Sequence, residues 1–145
     1  MNRHILDFCT ANTAYAPRKD TDKLFPLPAG SASWEGVIDG VNRFIAKQDM
    51  LNPALWKLFV DQFRGQVDSG NNLWRCEFWG KMMRGACMTY QYTCDEALYA
   101  VLEDSVRDLL SSADERGRIS TYSVETQLDG WDTWGRKYVL LGLQH

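Results

Sequence analysis

At 145 residues the chain has the length of one domain, with 45% apolar and 24% charged residues, which is globular rather than disordered usage. Its net charge of −3 gives no basic footprint for nucleic acid. No stretch approaches the roughly 20 apolar residues that cross a bilayer, and Met1 to Thr10 lacks the apolar core of a secretory signal. The expectation is a cytoplasmic chain with no nucleic-acid or membrane partner.

Residues 1–33 read as an irregular arm. Pro17, Pro26 and Pro28 punctuate it, beside the charged run Arg18-Lys19-Asp20 and the small-residue stretch Ala29 to Ser33. From Trp34 the spacing becomes helical: Val37, Val41, Phe44 and Ile45 fall on one face of a short helix. A second helix starts at Asn52 as N-cap with Pro53 in its first position, where the missing N–H costs nothing. Leu55, Trp56, Leu58, Phe59 and Phe63 give it a wide apolar face, and Gly65 is placed to end it in a left-handed conformation. Gln66 to Asn72 is a polar turn.

Trp74 to Tyr92 reads as a longer helix, apolar on most sides and so in contact with neighbours on two faces. Gly80 and Gly85 inside it each cost about 1 kcal/mol relative to Ala, which points to close approach of another backbone or a ligand. Thr93-Cys94-Asp95-Glu96 has the pattern of a capping box, followed by the stripe Leu98, Val101, Leu102, Ser105, Val106, Leu109, Leu110. Asp114 to Gly117 is a turn, Arg118 to Val124 alternates enough to be an extended, strand-like loop, and Asp129 to Asp132 is a second break. The last helix carries Trp134, Tyr138, Leu141 and His145 on one face, with Asp132 or Thr133 as cap, and reads as cut inside the element. Long helices joined by short turns predict an all-α stack of antiparallel hairpins.

The four cysteines, Cys9, Cys76, Cys87 and Cys94, include no C-x-x-C pair, and His4 and His145 stand at opposite ends. Structural zinc sites need closely spaced ligands, so no metal is expected and the cysteines read as packing thiols of a reducing compartment.

Chemistry concentrates in two aromatic-polar clusters, Trp74 to Lys81 and Gly130 to Tyr138, each at a helix start where free N–H groups favour polar ligands. Trp faces beside carboxylates and cations suit a sugar, whose C–H faces pack on the rings while carboxylates hold hydroxyls. The plainer alternative is that the Trp residues fill a core and the charges cap helices. Glycoside hydrolysis needs two carboxylates roughly 5–9.5 Å apart; Glu77, Glu125, Asp129 and Asp132 are the ones available. No Ser-His-Asp set, phosphate loop or dinucleotide fingerprint is present.

The runs Trp74-Arg75-Cys76-Glu77-Phe78-Trp79-Gly80-Lys81, Gly117-Arg118-Ile119-Ser120-Thr121-Tyr122 and Gly130-Trp131-Asp132-Thr133-Trp134-Gly135-Arg136-Lys137-Tyr138 resemble, in order and spacing, the N-terminal part of the β-L-arabinofuranosidase-like glycoside hydrolases, family 127 and its relatives. The resemblance covers about Trp34 to His145, and Cys76 stands where that family carries a small, glycine-like residue. It implies an (α/α)6 barrel followed by β-rich domains. Twelve helices of roughly 12 residues would use about 144 residues before any loop, so 34–145 would be the first part of such a barrel, a truncated toroid.

In several members a cysteine nucleophile is held by a zinc site of cysteines and a glutamate, with a glutamate as acid/base. Those groups would lie beyond His145, so no catalytic residue and no cofactor is assigned to this stretch, which alone should be inactive. The implied partner is an arabinose-containing or similar glycan, bound in a cleft by Glu77, Trp79, Tyr122, Trp131, Asp132, Trp134, Arg136 and Lys137. Apolar flanks awaiting further helices should also promote self-association. The rival reading is a small helical interaction module with an aromatic binding surface.

Overall fold

The computed structural model describes residues 28–68 and 76–145. Most of the proposed arm, the polar turn beyond Asp68, Cys9, Trp74 and Arg75 lie outside the described residues. Those described form five α-helices and contain no strand.

Helix α1 (Val37–Ile45) runs into a π-helical turn, Ala46–Met50. Helix α2 (Pro53–Gly65) begins as expected, with the Asn52 side chain accepting the N–H groups of Ala54 and Leu55 at 3.1 and 3.4 Å. Its apolar face buries Trp56, Phe59, Val60 and Phe63, while Leu58 stays exposed. The left-handed residue at its end is Gln66 (φ 46°) rather than Gly65, which is the last helical residue.

Helix α3 (Cys76–Thr93) is the central element, covered by α2 and α4 and, through its glycines, by α5. The capping box expected at Thr93 does not form. Thr93 is still helical, its hydroxyl donating to Thr89 O at 2.9 Å, and the cap is Asp95, which accepts the Ala97 N–H at 2.9 Å. Left-handed Cys94 makes the tight link between the two helices.

Helix α4 (Glu96–Leu110) buries Leu98, Leu102, Ser105 and Leu109. Residues 111–131 then form an irregular connection, its turn held by Asp114 Oδ1, which accepts the N–H groups of Arg116 and Arg118 at 2.9 Å each. Helix α5 (Asp132–Gln144) closes the described chain.

Side-chain pairs give the helix directions. Phe59 meets Phe78 while Met50 approaches Gly85, so α2 runs antiparallel to α3. Trp79 bonds Ser105 while Tyr90 packs on Tyr99, so α4 is antiparallel to α3 as well. Arg64 at the end of α2 reaches Asp108 at the end of α4, at 2.6 Å, so these two are parallel. On α3 and α5 the contacts advance together, Cys76 against Gly135, Gly80 against Tyr138 and Gly142, so these helices are parallel too.

Glycine makes the α3–α5 approach possible. A Cβ at Gly80 would sit 2.0 Å from the Tyr138 carbonyl oxygen, and one at Gly135 would sit 2.8 Å from Cys76 Cβ. Gly142 completes the seam, facing Trp79 and Gly80. The close backbone approach expected at Gly80 is real, whereas at Gly85 the nearest group is Met50 Cε at an ordinary 3.8 Å.

Candidate functional site

Because α3 and α5 run side by side in the same direction, their first turns lie together, and both sequence clusters meet on one surface. Glu77 projects from α3. Trp134, one turn into α5, donates its indole N–H to the Glu77 carboxylate, joining residues 57 apart in the chain. Lys81, one turn beyond Glu77, lies 3.5 Å from its other carboxylate oxygen.

The aromatic part is equally ordered. Trp134 stands edge-on to Trp131, with ring centroids 6.0 Å apart and planes at 77°, and edge-on to Tyr138 at 5.3 Å and 74°. Lys137 Nζ lies over both the Trp134 and Tyr138 rings, at 3.6 and 4.1 Å, and Lys81 Nζ lies 4.9 Å from the Tyr138 centroid. Trp131 is 66% exposed and Trp134 43%. Indole rings left this open while flanked by a carboxylate and two ammonium groups form an amphipathic corner, with apolar faces beside hydrogen-bonding groups of both signs. Lys81 and Tyr138 lie in the two sequence clusters but not among the expected cleft residues, though each stands one turn from one of them, Glu77 and Trp134.

The other expected cleft residues lie behind this corner. Trp79 is fully buried and donates its indole N–H to Ser105 Oγ at 3.0 Å. Tyr122 is buried in the 111–131 connection. Asp132 is fully buried and is not a helix cap, because its carboxylate turns inward. Its Oδ1 accepts from Ser120 Oγ at 2.5 Å and from Arg136 Nε at 3.1 Å; its Oδ2 accepts the Leu128 N–H at 2.7 Å and pairs with Arg136 Nη2 at 2.8 Å. Arg136 therefore points toward the interior as well.

Burial of Asp132 opposes its charge. The bonds from Arg136, Ser120 and the Leu128 amide, together with the Arg136 charge, outweigh that opposition and hold its carboxyl below the usual range. Alongside, Cys76 and Thr121 exchange contacts, Cys76 N–H to Thr121 Oγ1 and Thr121 N–H to Cys76 Sγ, both at 3.3 Å. Together, Ser120 and Thr121 bolt the connection to the first turns of α5 and α3, setting where Trp131, Trp134 and Glu77 stand.

Of the remaining carboxylates, Asp129 accepts the adjacent Gly130 N–H at 2.7 Å within its own turn. Cys76 packs on Thr121, Cys87 donates its thiol toward Met83 Sδ at 3.7 Å, and no three metal-ligating side chains converge among the described residues.

Compared with known proteins, the chain matches no family model, no curated protein and no solved structure.

Proposed function

We propose that this chain is the N-terminal portion of a glycoside hydrolase of the β-L-arabinofuranosidase-like kind, and that the Trp131–Trp134–Glu77 corner holds a sugar at its cleft. The observation that carries the reading is the Trp134–Glu77 bond, which joins two of the three resembling runs at one exposed aromatic surface. The third run supports it from behind through Ser120 and Thr121. The alternation of helix directions, α3 and α5 one way and α2 and α4 the other, fits neighbouring inner helices of a toroid with outer helices returning between them.

In this reading a furanose ring packs its C–H face on Trp131 and Trp134. Glu77 accepts a hydroxyl hydrogen, and Lys81 and Lys137 donate to ring or hydroxyl oxygens. These residues bind and orient; bond cleavage, with retention, belongs to groups further along the parent chain. Calorimetric titration with arabinofuranosyl oligosaccharides tests it. Trp131→Ala and Glu77→Gln should each weaken binding about tenfold, the scale of one lost stacking face or charged hydrogen bond. Unchanged affinity in both removes the corner from the site. A second reading, a helical interaction module, is favoured by one observation, the outward apolar face of α1.

A further inference from the structure

Amphipathic helices normally turn their apolar stripe to the core. Helix α1 does the reverse. Its polar side is the anchored one: Asp39 accepts from the Tyr92 hydroxyl at 2.6 Å and from Arg43 Nε at 2.9 Å, and Arg43 lies over the Tyr92 ring. Trp34, just before the helix, stacks on the same ring at 5.0 Å. The stripe of Val37, Ile38, Val41, Phe44 and Ile45 faces outward, each residue between 37% and 82% exposed, and no residue of α1 is buried.

We propose that this stripe is a self-association face, on which α1 of a second copy packs about a two-fold axis. The spacing is that of a helix–helix seam, with Val37, Val41 and Phe44 at i, i+4 and i+7 and Ile38 and Ile45 beside them. Five such side chains expose on the order of 500 Å2 per copy, so pairing removes up to about 1,000 Å2, the lower end of what a specific interface needs. A two-fold contact uses one patch twice, so no second complementary surface is required. Charge argues against a membrane surface as occupant. Helices that lie on anionic lipid carry a Lys/Arg-rich polar face, whereas Glu35, Asp39 and Asp49 here outnumber Arg43 and Lys47.

The stripe lies away from the sugar corner. Tyr92 and Glu77 are 15 residues apart on α3, about 22 Å along the helix axis at 1.5 Å per residue. The test is sedimentation equilibrium of the full chain over a concentration series, comparing wild type with the double substitution Val41→Gln/Phe44→Gln. Gln leaves the charge unchanged and has a helix propensity above that of Val or Phe, so the helix itself is not weakened. Wild type should approach twice the 16.6 kDa chain mass, and the variant should stay monomeric at concentrations at least tenfold higher.

A thermal melt of the monomeric variant separates the alternatives. Compared with wild type diluted until it is monomeric, an unchanged midpoint fits a second copy as occupant, whereas a lowered one assigns the stripe to another segment of this chain and overturns the proposal. Monomeric wild type, a dimer surviving in the variant, or wild-type monomers pelleting with anionic vesicles in a stripe-dependent way would each overturn it too. A dimer abolished by Leu140→Gln, at an exposed position of α5, but not by the α1 pair would also do so.

Discussion

Gly80 and Tyr138 meet backbone to backbone: a Cβ on Gly80 would fall 2.0 Å from the Tyr138 carbonyl oxygen and 2.3 Å from its carbon. No side-chain rotation relieves such a clash, so Gly80→Ala must push α5 off α3. The expected loss is about 3 kcal/mol or more in urea unfolding, at the upper end for overpacking. Gly85→Ala on the same helix meets only Met50 Cε at 3.8 Å and should gain up to about 1 kcal/mol from helix propensity. Equal effects of the two substitutions would refute the seam.

Asp132→Asn should destabilise the fold. A carboxylate that only capped the helix would be exchangeable for Asn at little cost, but that of Asp132 is buried among Ser120, Leu128 and Arg136. Removing one partner of a buried pair costs about 3–5 kcal/mol; Arg136 keeps some solvent contact, so about 2–3 kcal/mol is expected.

The pH dependence follows from the same group. The folded carboxyl titrates below its unfolded value of about 3.9. Its contribution is therefore complete above that value and is lost as pH falls through the folded one. The stability gap between wild type and Asp132→Asn should narrow between pH 5 and pH 2, as read from denaturation midpoints. A gap constant with pH would mean the charge is not what matters.

Interior and surface tryptophans should separate cleanly. Trp79→Ala empties a fully buried site and strands Ser105, for a loss of about 3–5 kcal/mol. Trp131→Ala, two-thirds exposed, should change stability by no more than about 0.5 kcal/mol. Thermal melts of the two variants check this directly, and a large loss at Trp131 would place it in the packing rather than at a binding surface.

Much of the helical layout was legible because its signals are local. Asn52-Pro53 starts α2, and Asp114 to Gly117 makes its turn through bonds within five residues. Gly80 signalled a close neighbour without naming it, since the partner lies 58 residues on. What failed was tertiary choice among local options: Asp95 instead of Thr93 as cap, Gln66 instead of Gly65 as the left-handed residue. The direction of α1 could not be read either, because periodicity defines a stripe but not which side Tyr92 anchors. At the site, the clusters announced chemistry. Burial then divided them, with Glu77, Trp131, Trp134 and Lys137 on the surface and Trp79, Tyr122, Asp132 and Arg136 turned inward. Alternation in Arg118 to Val124 gave no hint that Ser120, Thr121 and Tyr122 are buried in succession.

Thiol reactivity follows the burial pattern. Burial pushes the Cys87 thiol up to about 11, and Cys76 is enclosed against Thr121. Titration with a disulfide reagent at pH 8 should leave both slow in the folded protein and release all four thiols in denaturant. Rapid native reaction of all four would contradict the packing described for α3.

A sugar bound at the corner formed by Trp131, Trp134 and Glu77 would perturb the two indole rings there first. The most direct measurement is an NMR titration of the indole N–H signals with an arabinofuranosyl oligosaccharide. Trp134, bonded to Glu77, and Trp131 should shift with one saturable binding curve, while buried Trp56 and Trp79 stay in place. Absence of any shift at Trp131 and Trp134 up to millimolar sugar, or equal shifts at all four, would rule the corner out as a sugar site.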